Sequence, residues 1–471
     1  MIEKKIFFEK KFILFLIICF IALFLRIYQI NFEDYWFDEQ ASFWVADPFL
    51  SLQETVKRSY DLDSGTHITF NLILKKFFLF FSYNPQVGRF LPLIFGFLSI
   101  PALSYLTFQI QKGKSYVFVA FLSSINFYLI SYSQELRSYS LTFLLSILSI
   151  IFFYKVFENK ISVNKKVFYS ILYILVSLLG VCIHIFFFII IISQITYLLL
   201  NYFFIKKKII FNFVCIICVV IFYFLLMFES LLLQLRIDDF WITQIEPEFF
   251  INYYFSRFFG SKIMGAIYLF VLLVLIFLSK KKIFHFSNKN FFLLILFLFS
   301  YLLPITYGFL QQPLLTDRYI IFVLVPIFIL ISNLTLCLKN KKIKYFIIFL
   351  IIISSLTNNY IEIFERKISK PQFNKSFEYI ANSNIKNVLI KSPRSLEKII
   401  INYAKNTKTA KKNNLSFYKL DDKFTKLNKL WMTCYKPING FDCSPEFNLN
   451  TSWTESDKIE YHLIKSTLYA R

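Results

Sequence analysis

The chain is 471 residues long and 57% hydrophobic, with 63 Phe set against 9 Gly and 12 Pro. No soluble core absorbs that much apolar surface, and several runs reach the ~20 residues that cross hydrocarbon as a helix, so a set of soluble domains is excluded in favour of a polytopic membrane protein. The net charge of +23, from 52 Lys+Arg against 29 Asp+Glu, lies in short lysine clusters between apolar runs, which reads as membrane orientation and headgroup contact and not as a nucleic-acid surface.

In chain order, the first apolar run, Phe12 to Ile30, follows Lys4, Lys5, Lys10 and Lys11 and lacks a small-residue cleavage site. That predicts a retained first span. A polar loop over 31–87 follows. Within it the run 67–83 carries Lys75 and Lys76 at its middle and predicts an amphipathic helix lying in the interface. Further runs at 88–110, 115–131, 138–157, 167–183, 185–204, 211–230, 263–279, 291–310, 319–338 and 345–362 bring the expectation to about eleven spans.

With the N-terminus in the cytoplasm, Lys112 and Lys114, Lys155 to Lys166, Lys206 to Lys208, Lys280 to Lys282 and Lys339 to Lys344 all fall on the cytoplasmic side. The loop 31–87, the turn 131–137, His184, the loop 231–262 and the turn 311–318 then share the opposite face. The chain divides into a membrane domain, 1–362, and a Lys- and Asn-rich tail, 363–471, for which a small extracytoplasmic α/β domain is expected. Its strand-like pieces are Asn387–Lys391 and Leu415–Leu420, with helical character at Ser395–Lys405. Five cysteines lie in apolar runs and read as small hydrophobes, Cys215 and Cys218 among them despite their spacing. Cys434 and Cys443 sit in the tail, where exported thiols form a disulfide and unexported ones stay free. There is no internal repeat and no Gly-rich phosphate loop, so nothing points to a cytoplasmic nucleotide site.

The polar residues that packing explains least collect on the outer face: Asp38 and Glu39 after Arg26, then Asp63 and His67, Arg89, the cluster Gln134, Glu135, Arg137 and Tyr139, His184, Trp241, and Arg318. Singly, each has a plain structural reading. An arginine at a span end anchors in the interface, a histidine ending an apolar helix is hydrogen-bonded in place, and a tryptophan such as Trp241 sits at the headgroups. Their convergence on one face favours function, because ionisable groups beside hydrocarbon are costly. Paired acids supply a general base or hold a metal, and arginines at a membrane boundary grip a phosphate in bidentate fashion.

These residues resemble a family. Arg26 to Ile30 followed by Trp36-Phe-Asp38-Glu39 is similar to the first-loop signature of the polyprenyl-phosphosugar-dependent glycosyltransferases of the family 39 type. These include the protein O-mannosyltransferases and the lipid A aminoarabinose transferases, and they have the GT-C membrane fold. Asp63 to His67 resembles the second first-loop motif without its paired prolines. Val87-Gly-Arg89, Tyr132 to Tyr139, His184 with Gln194, the loop around Trp241, and Asp317-Arg318-Tyr319 match in order over residues 12–340.

The resemblance implies an inverting transfer of a sugar from a polyprenyl-phosphate donor to an acceptor hydroxyl on a glycolipid such as lipid A, a glycan or a protein, at the outer face of a bacterial inner membrane. Asp38 and Glu39 are the expected catalytic carboxylates, and Arg89, Arg26 and Arg318 the donor-phosphate ligands. Asp63, His67, Gln134, Glu135, Arg137, Tyr139, His184 and Trp241 would bind substrate. The resemblance leaves metal dependence open: a divalent metal ion is the one cofactor to look for, with Glu39, His67 or His184 as its candidate ligands. The rival from another class is a transporter or flippase for a glycolipid, which predicts mid-span charges lining a path between two similar halves.

Overall fold

The computed structural model describes residues 2–111, 115–157, 161–205, 210–234, 257–278, 289–393, 396–419, 427–436, 441–444 and 453–471. Among the described residues, eight helices are long and apolar enough to cross a bilayer: Pro85–Gln111, Tyr139–Phe157, Val163–Ile183, Ile185–Phe204, Ile210–Leu233, Lys289–Leu310, Asp317–Cys337 and Lys341–Phe364. A broken pair, Ser115–Ile125 and Phe127–Ser133, meets at 61°, and the shorter helix Lys262–Leu278 also lies among them. The first helix runs Ile2–Ile27.

These helices are apolar all round, as membrane spans are. Their outward faces present large side chains such as Phe20, Phe168, Leu225 and Phe309. Their contacts with one another bury small and polar residues instead. Ser149 Oγ lies 2.9 Å from Ser177 Oγ, Gln194 Nε2 donates to Ser149 at 3.2 Å, and Tyr173 donates to Gln194 at 2.6 Å. Gln194 is thus a packing residue inside the bundle.

The break at Asn126 is built, not accidental. The Asn126 side chain accepts from Leu129 N at 3.0 Å and starts the second half as a new helix. The carbonyls at the end of the first half have lost their intrahelical donors, and inside a bilayer such groups must be satisfied within the protein. Arg26 does this: buried at 0% exposure, it donates to Ser123 O and Ser124 O at 3.2 Å and to Ala22 O at 3.1 Å. Asn359 Nδ2 completes the set on Ile125 O at 2.8 Å.

The loop after the first helix folds as three short helices, Phe37–Val45, Leu52–Asp63 and Ile68–Phe80. The last has 13 residues, which at 1.5 Å each reach only ~20 Å, too short to span. Lys75 does not float at the interface. Its ammonium is buried on Leu50 O, Asp47 O and Thr55 Oγ1, at 2.7, 2.8 and 3.0 Å, and staples the three helices together.

The tail beyond Phe364 forms a five-stranded mixed sheet of β1 (Asn387–Lys391), β2 (Ser416–Tyr418), β3 (Lys429–Tyr435), β4 (Thr454–Tyr461) and β5 (Ile464–Ala470), in the order β2-β1-β3-β5-β4. β1 lies parallel to β2 and β3, while β5 runs antiparallel to β3 and β4. Helices Phe373–Asn382 and Glu397–Asn406 pack on the sheet through Phe377, Ile400 and Tyr403 against Val388, Ile390 and Trp431. Cys434 and Cys443 form a disulfide at the end of β3.

Candidate active site

The helix Phe37–Val45 starts after Trp36, so Asp38 and Glu39 occupy its first turn, where the exposed backbone N–H groups favour negative charge. One residue of rotation, about 100°, sends the two carboxylates different ways. Glu39 turns inward and is fully buried. Arg89 grips it with Nε on Oε1 and Nη2 on Oε2, both at 2.8 Å, while Leu136 N and Lys370 Nζ add bonds at 2.8 Å each. Burial works to raise the Glu39 carboxyl, and Arg89 and Lys370 more than reverse it, so Glu39 is held ionised well below the usual range. Arg89 spends its remaining N–H groups on Ile30 O, Glu33 O and Asp34 O, at 2.9, 2.7 and 3.2 Å, and is 2% exposed.

Two expectations therefore change. Arg89 has no donor left for a phosphate, and Glu39 has no lone pair facing substrate; together they fix the first loop to the next span. Arg26 likewise spends its Nη groups on capping the broken helix. Gln134 donates to Tyr28 O and Arg26 O at 2.8 and 3.0 Å and accepts from Arg366 at 3.0 Å, which makes it a strut, not a sugar contact.

Asp38 turns outward. Its side chain is 25% exposed and lies 3.6 Å from Arg318 Nη1. Arg318 sits among the rings of Trp36, Tyr139 and Tyr319, at 5.6, 5.8 and 5.9 Å. Arg137 approaches from the turn after the broken helix, donating to Asp38 O at 3.3 Å and Ser42 Oγ at 3.2 Å, with Nη2 2.7 Å from His67 Nε2. A guanidinium only donates, so His67 carries its proton on Nδ1. Burial first, and then the Arg137 charge, keep His67 neutral well below its ordinary value. Asp63 Oδ2 lies 4.0 Å from His67, and burial pushes its carboxyl up to about 6 against the pull of Arg137. His184 accepts from Phe186 N at 3.3 Å, packs 4.8 Å from the Tyr319 ring, and is lowered to about 3 by burial and then by Arg137 and Arg318.

Around this space several buried polar atoms have no hydrogen-bond partner among the described residues: Arg137 Nε, Glu135 Oε1, His67 Nδ1, Asp63 Oδ1 and Trp36 Nε1. Burial raises the Glu135 carboxyl. The structure thus brings Asp38, Asp63, His67, Glu135, Arg137, Tyr139, His184 and Arg318 together; Trp241 lies outside the described residues. A cluster of unpartnered donors and acceptors beside two guanidiniums is suited to a polar, anionic ligand. It does not suit a divalent ion held by Glu39, His67 or His184. Glu39 is saturated, His67 Nε2 faces a guanidinium, His184 accepts on Nδ1 and so carries its proton on Nε2, and no group of three His, Cys, Asp or Glu able to hold a metal occurs among the described residues.

Sequence reasoning missed the contribution of the C-terminal domain. Besides Lys370, that domain brings up Tyr435 at the end of β3, whose phenol is pushed to about 12 by burial and next by the Asp38 charge. Neither residue carries a local motif.

No protein-family model matches the sequence, and neither does any curated protein. Solved structures do match. ArnT from Cupriavidus metallidurans bound to undecaprenyl phosphate superposes with a TM-score of 0.56 at 9% identity, covering 97% of each chain. The same protein in the apo state gives 0.53 at 9% identity over 78% of this chain and 68% of that one. The oligosaccharyltransferase AglB from Archaeoglobus fulgidus, in complex with an inhibitory peptide and a dolichol-phosphate, gives 0.52 at 11% identity over 91% of this chain and 70% of that one. Likeness along the whole chain, with this set of apolar helices and a small sheet domain after them, makes this a multi-pass membrane protein with the GT-C fold.

Proposed function

We propose that the protein is an inverting glycosyltransferase that moves a sugar from a polyprenyl-phosphate donor to an acceptor hydroxyl. The observation that carries this reading is the partly exposed Asp38 carboxylate placed 3.6 Å from Arg318, with Arg137 against its backbone. The structural neighbours solved with undecaprenyl phosphate and dolichol-phosphate supply the lipid class.

In this reading Asp38 accepts the proton of the attacking hydroxyl. The new bond forms between that oxygen and the anomeric carbon as the bond from the anomeric carbon to the phosphate oxygen breaks. The electron pair leaves with the phosphate, and Arg318 and Arg137 neutralise the charge that develops there. They replace Arg89 and Arg26 in that role. Interactions that strengthen as charge develops accelerate the step, and the cage of Trp36, Tyr139 and Tyr319 keeps water from screening them. Glu135, His67 and Asp63 contact the sugar, and Glu39 positions the helix that carries Asp38. The reaction takes place at the extracytoplasmic face of a bacterial inner membrane, with the N-terminus in the cytoplasm. The one-sided lysine clusters support that orientation, and so does a disulfide in the tail, a bond that persists in oxidising compartments.

The test compares wild type with Asp38→Asn in detergent, supplied with polyprenyl-phosphate sugars and glycolipids extracted from the native membrane. Sugar-free polyprenyl phosphate is followed by mass spectrometry. Wild type releases it and the variant loses about a hundredfold or more, the scale of a missing general base. Equal release by the two proteins removes Asp38 from the mechanism.

A further inference from the structure

Between the first loop and the C-terminal domain lies a groove of about 350 Å³, separate from the cage around Arg318. Its lining residues are polar except for Phe32, Pro85 and Ile368. One wall is Asn31 to Asp34 with Asn84 to Gln86; the other takes Lys370, Gln372, Asn374, Lys375 and Glu378 with Thr407 to Thr409. Much of that lining is already committed. Glu33 serves Arg366 and Ser369, and Asp34 serves Asn374. The side chains of Gln86, Lys375, Glu378, Lys408 and Thr409, by contrast, enter no hydrogen bond or ion pair among the described residues.

The chemistry of those five is mixed: an amide that donates and accepts, two ammonium donors, a carboxylate acceptor and a hydroxyl. Neither sign of charge dominates, so the groove does not select a simple anion or cation. A mixed set of donors and acceptors lining a polar trough matches a ligand whose rim is a row of hydroxyls. Phe32, 42% exposed, offers an apolar ring of the kind that covers the C–H face of a sugar. The volume falls at the lower end of small-molecule sites. None of the lining residues belongs to β1–β5, so an extended peptide finds no strand edge to pair with. The groove is tied to the reaction centre through Lys370, which lines it and whose ammonium lies 2.8 Å from Glu39, the residue after Asp38.

We infer that this groove seats the saccharide portion of the acceptor, so that the two domains together form the acceptor site. The inference rests on the transferase reading above. The test uses the full chain with Gln86→Trp and Thr409→Trp, which fill the groove from its two walls, and Thr409→Ser as the conservative control. Release of polyprenyl phosphate is measured with water as the only acceptor and again with native-membrane glycolipids added. Both Trp variants keep release to water within about twofold and lose glycolipid-dependent transfer tenfold or more, through a raised KM; Thr409→Ser retains transfer. Undiminished transfer in the Trp variants overturns the inference and leaves a solvent-filled crevice, with the transferase reading intact. A parallel fall of both reactions also overturns it, since the groove would then serve the fold or the donor. Binding of water-soluble saccharides, released from the same glycolipids by mild acid, is followed separately by saturation-transfer NMR. Binding that the Trp variants abolish supports the saccharide site even where the wild type turns over no donor, a result that would sink only the transferase reading. Binding that survives them sinks the groove.

Discussion

Asp38 and Glu39 are adjacent in the chain, and one residue of helical rotation assigns them opposite fates. The same contrast separates the arginines. Arg89 is buried and saturated by Glu39 and three carbonyls, while Arg318 borders the open space beside Asp38. Breaking a buried pair leaves an uncompensated charge, which costs about 3–5 kcal/mol. Arg89→Met is therefore expected to lower the melting temperature in detergent sharply and to lose activity with the fold. Arg318→Met should keep the wild-type melt within a few degrees and lose turnover, and if the two variants melted alike the division into strut and site would fail. Asp63 adds a pH signature. Burial raises its folded-state pKa to about 6, above the unfolded value, so its favourable contribution is full at low pH and is lost as pH rises through about 6. Asp63→Asn removes a penalty that exists only when Asp63 is ionised. It should stabilise the protein by roughly 1–3 kcal/mol at pH 7.5 and converge with wild type near pH 4. The outward carboxylate was legible in the sequence because it lies in a short motif. That its neighbour is spent internally was not, since its partners Arg89 and Lys370 stand 50 and 331 positions away.

At the scale of elements, the apolar runs gave the helices, because length and hydropathy alone decide what a bilayer accepts. The break at Asn126 was not readable from them. A single asparagine in an apolar run is compatible with a straight helix. What makes the bend stable is Arg26 and Asn359, which satisfy carbonyls 98 and 234 positions away. The bend matters because it aims the turn carrying Glu135 and Arg137 at Asp38. Gly96 on the neighbouring span sets its depth, since a methyl group there would overlap the Ser133 side chain. Gly96→Ala is expected to cost about 1–3 kcal/mol and to reduce turnover by displacing Arg137. Adding Ser133→Gly removes the overlapping atoms, so the double variant should regain much of the stability and activity lost by the single one. Additive losses in the double variant would place the effect elsewhere than in this contact.

At the scale of the molecule, the C-terminal domain is latched to the membrane domain at several points, and one carboxylate gathers four of the bonds. Glu33 accepts from Arg366 Nη2 at 2.6 Å, from Ser369 N and Oγ at 2.7 Å each, and from Lys370 N at 3.1 Å. Burial raises the Glu33 carboxyl and this ring of donors lowers it further than burial raises it, so the latch is ionised and closed at neutral pH. Beside it, Tyr35 stacks on Tyr403 at 5.3 Å and Asn374 N donates to Asp34 at 2.7 Å. Glu33→Ala deletes the acceptor common to four of these bonds and leaves Arg366 with Gln134 but without its ionic partner. The connector over 365–372 should then open, and because Lys370 belongs to it, Glu39 loses a partner and the start of the helix bearing Asp38 loosens. Limited proteolysis of the variant in detergent is expected to cut within that connector many times faster than in wild type, with turnover falling in step. Glu365→Ala, which removes a neighbouring exposed carboxylate with no hydrogen bond among the described residues, should alter neither. A variant without the Glu33 carboxylate that resisted the protease and kept full turnover would mean that the remaining contacts, Asn374 on Asp34, Tyr83 on Asn402 and the Tyr35–Tyr403 stack, hold the domain without it.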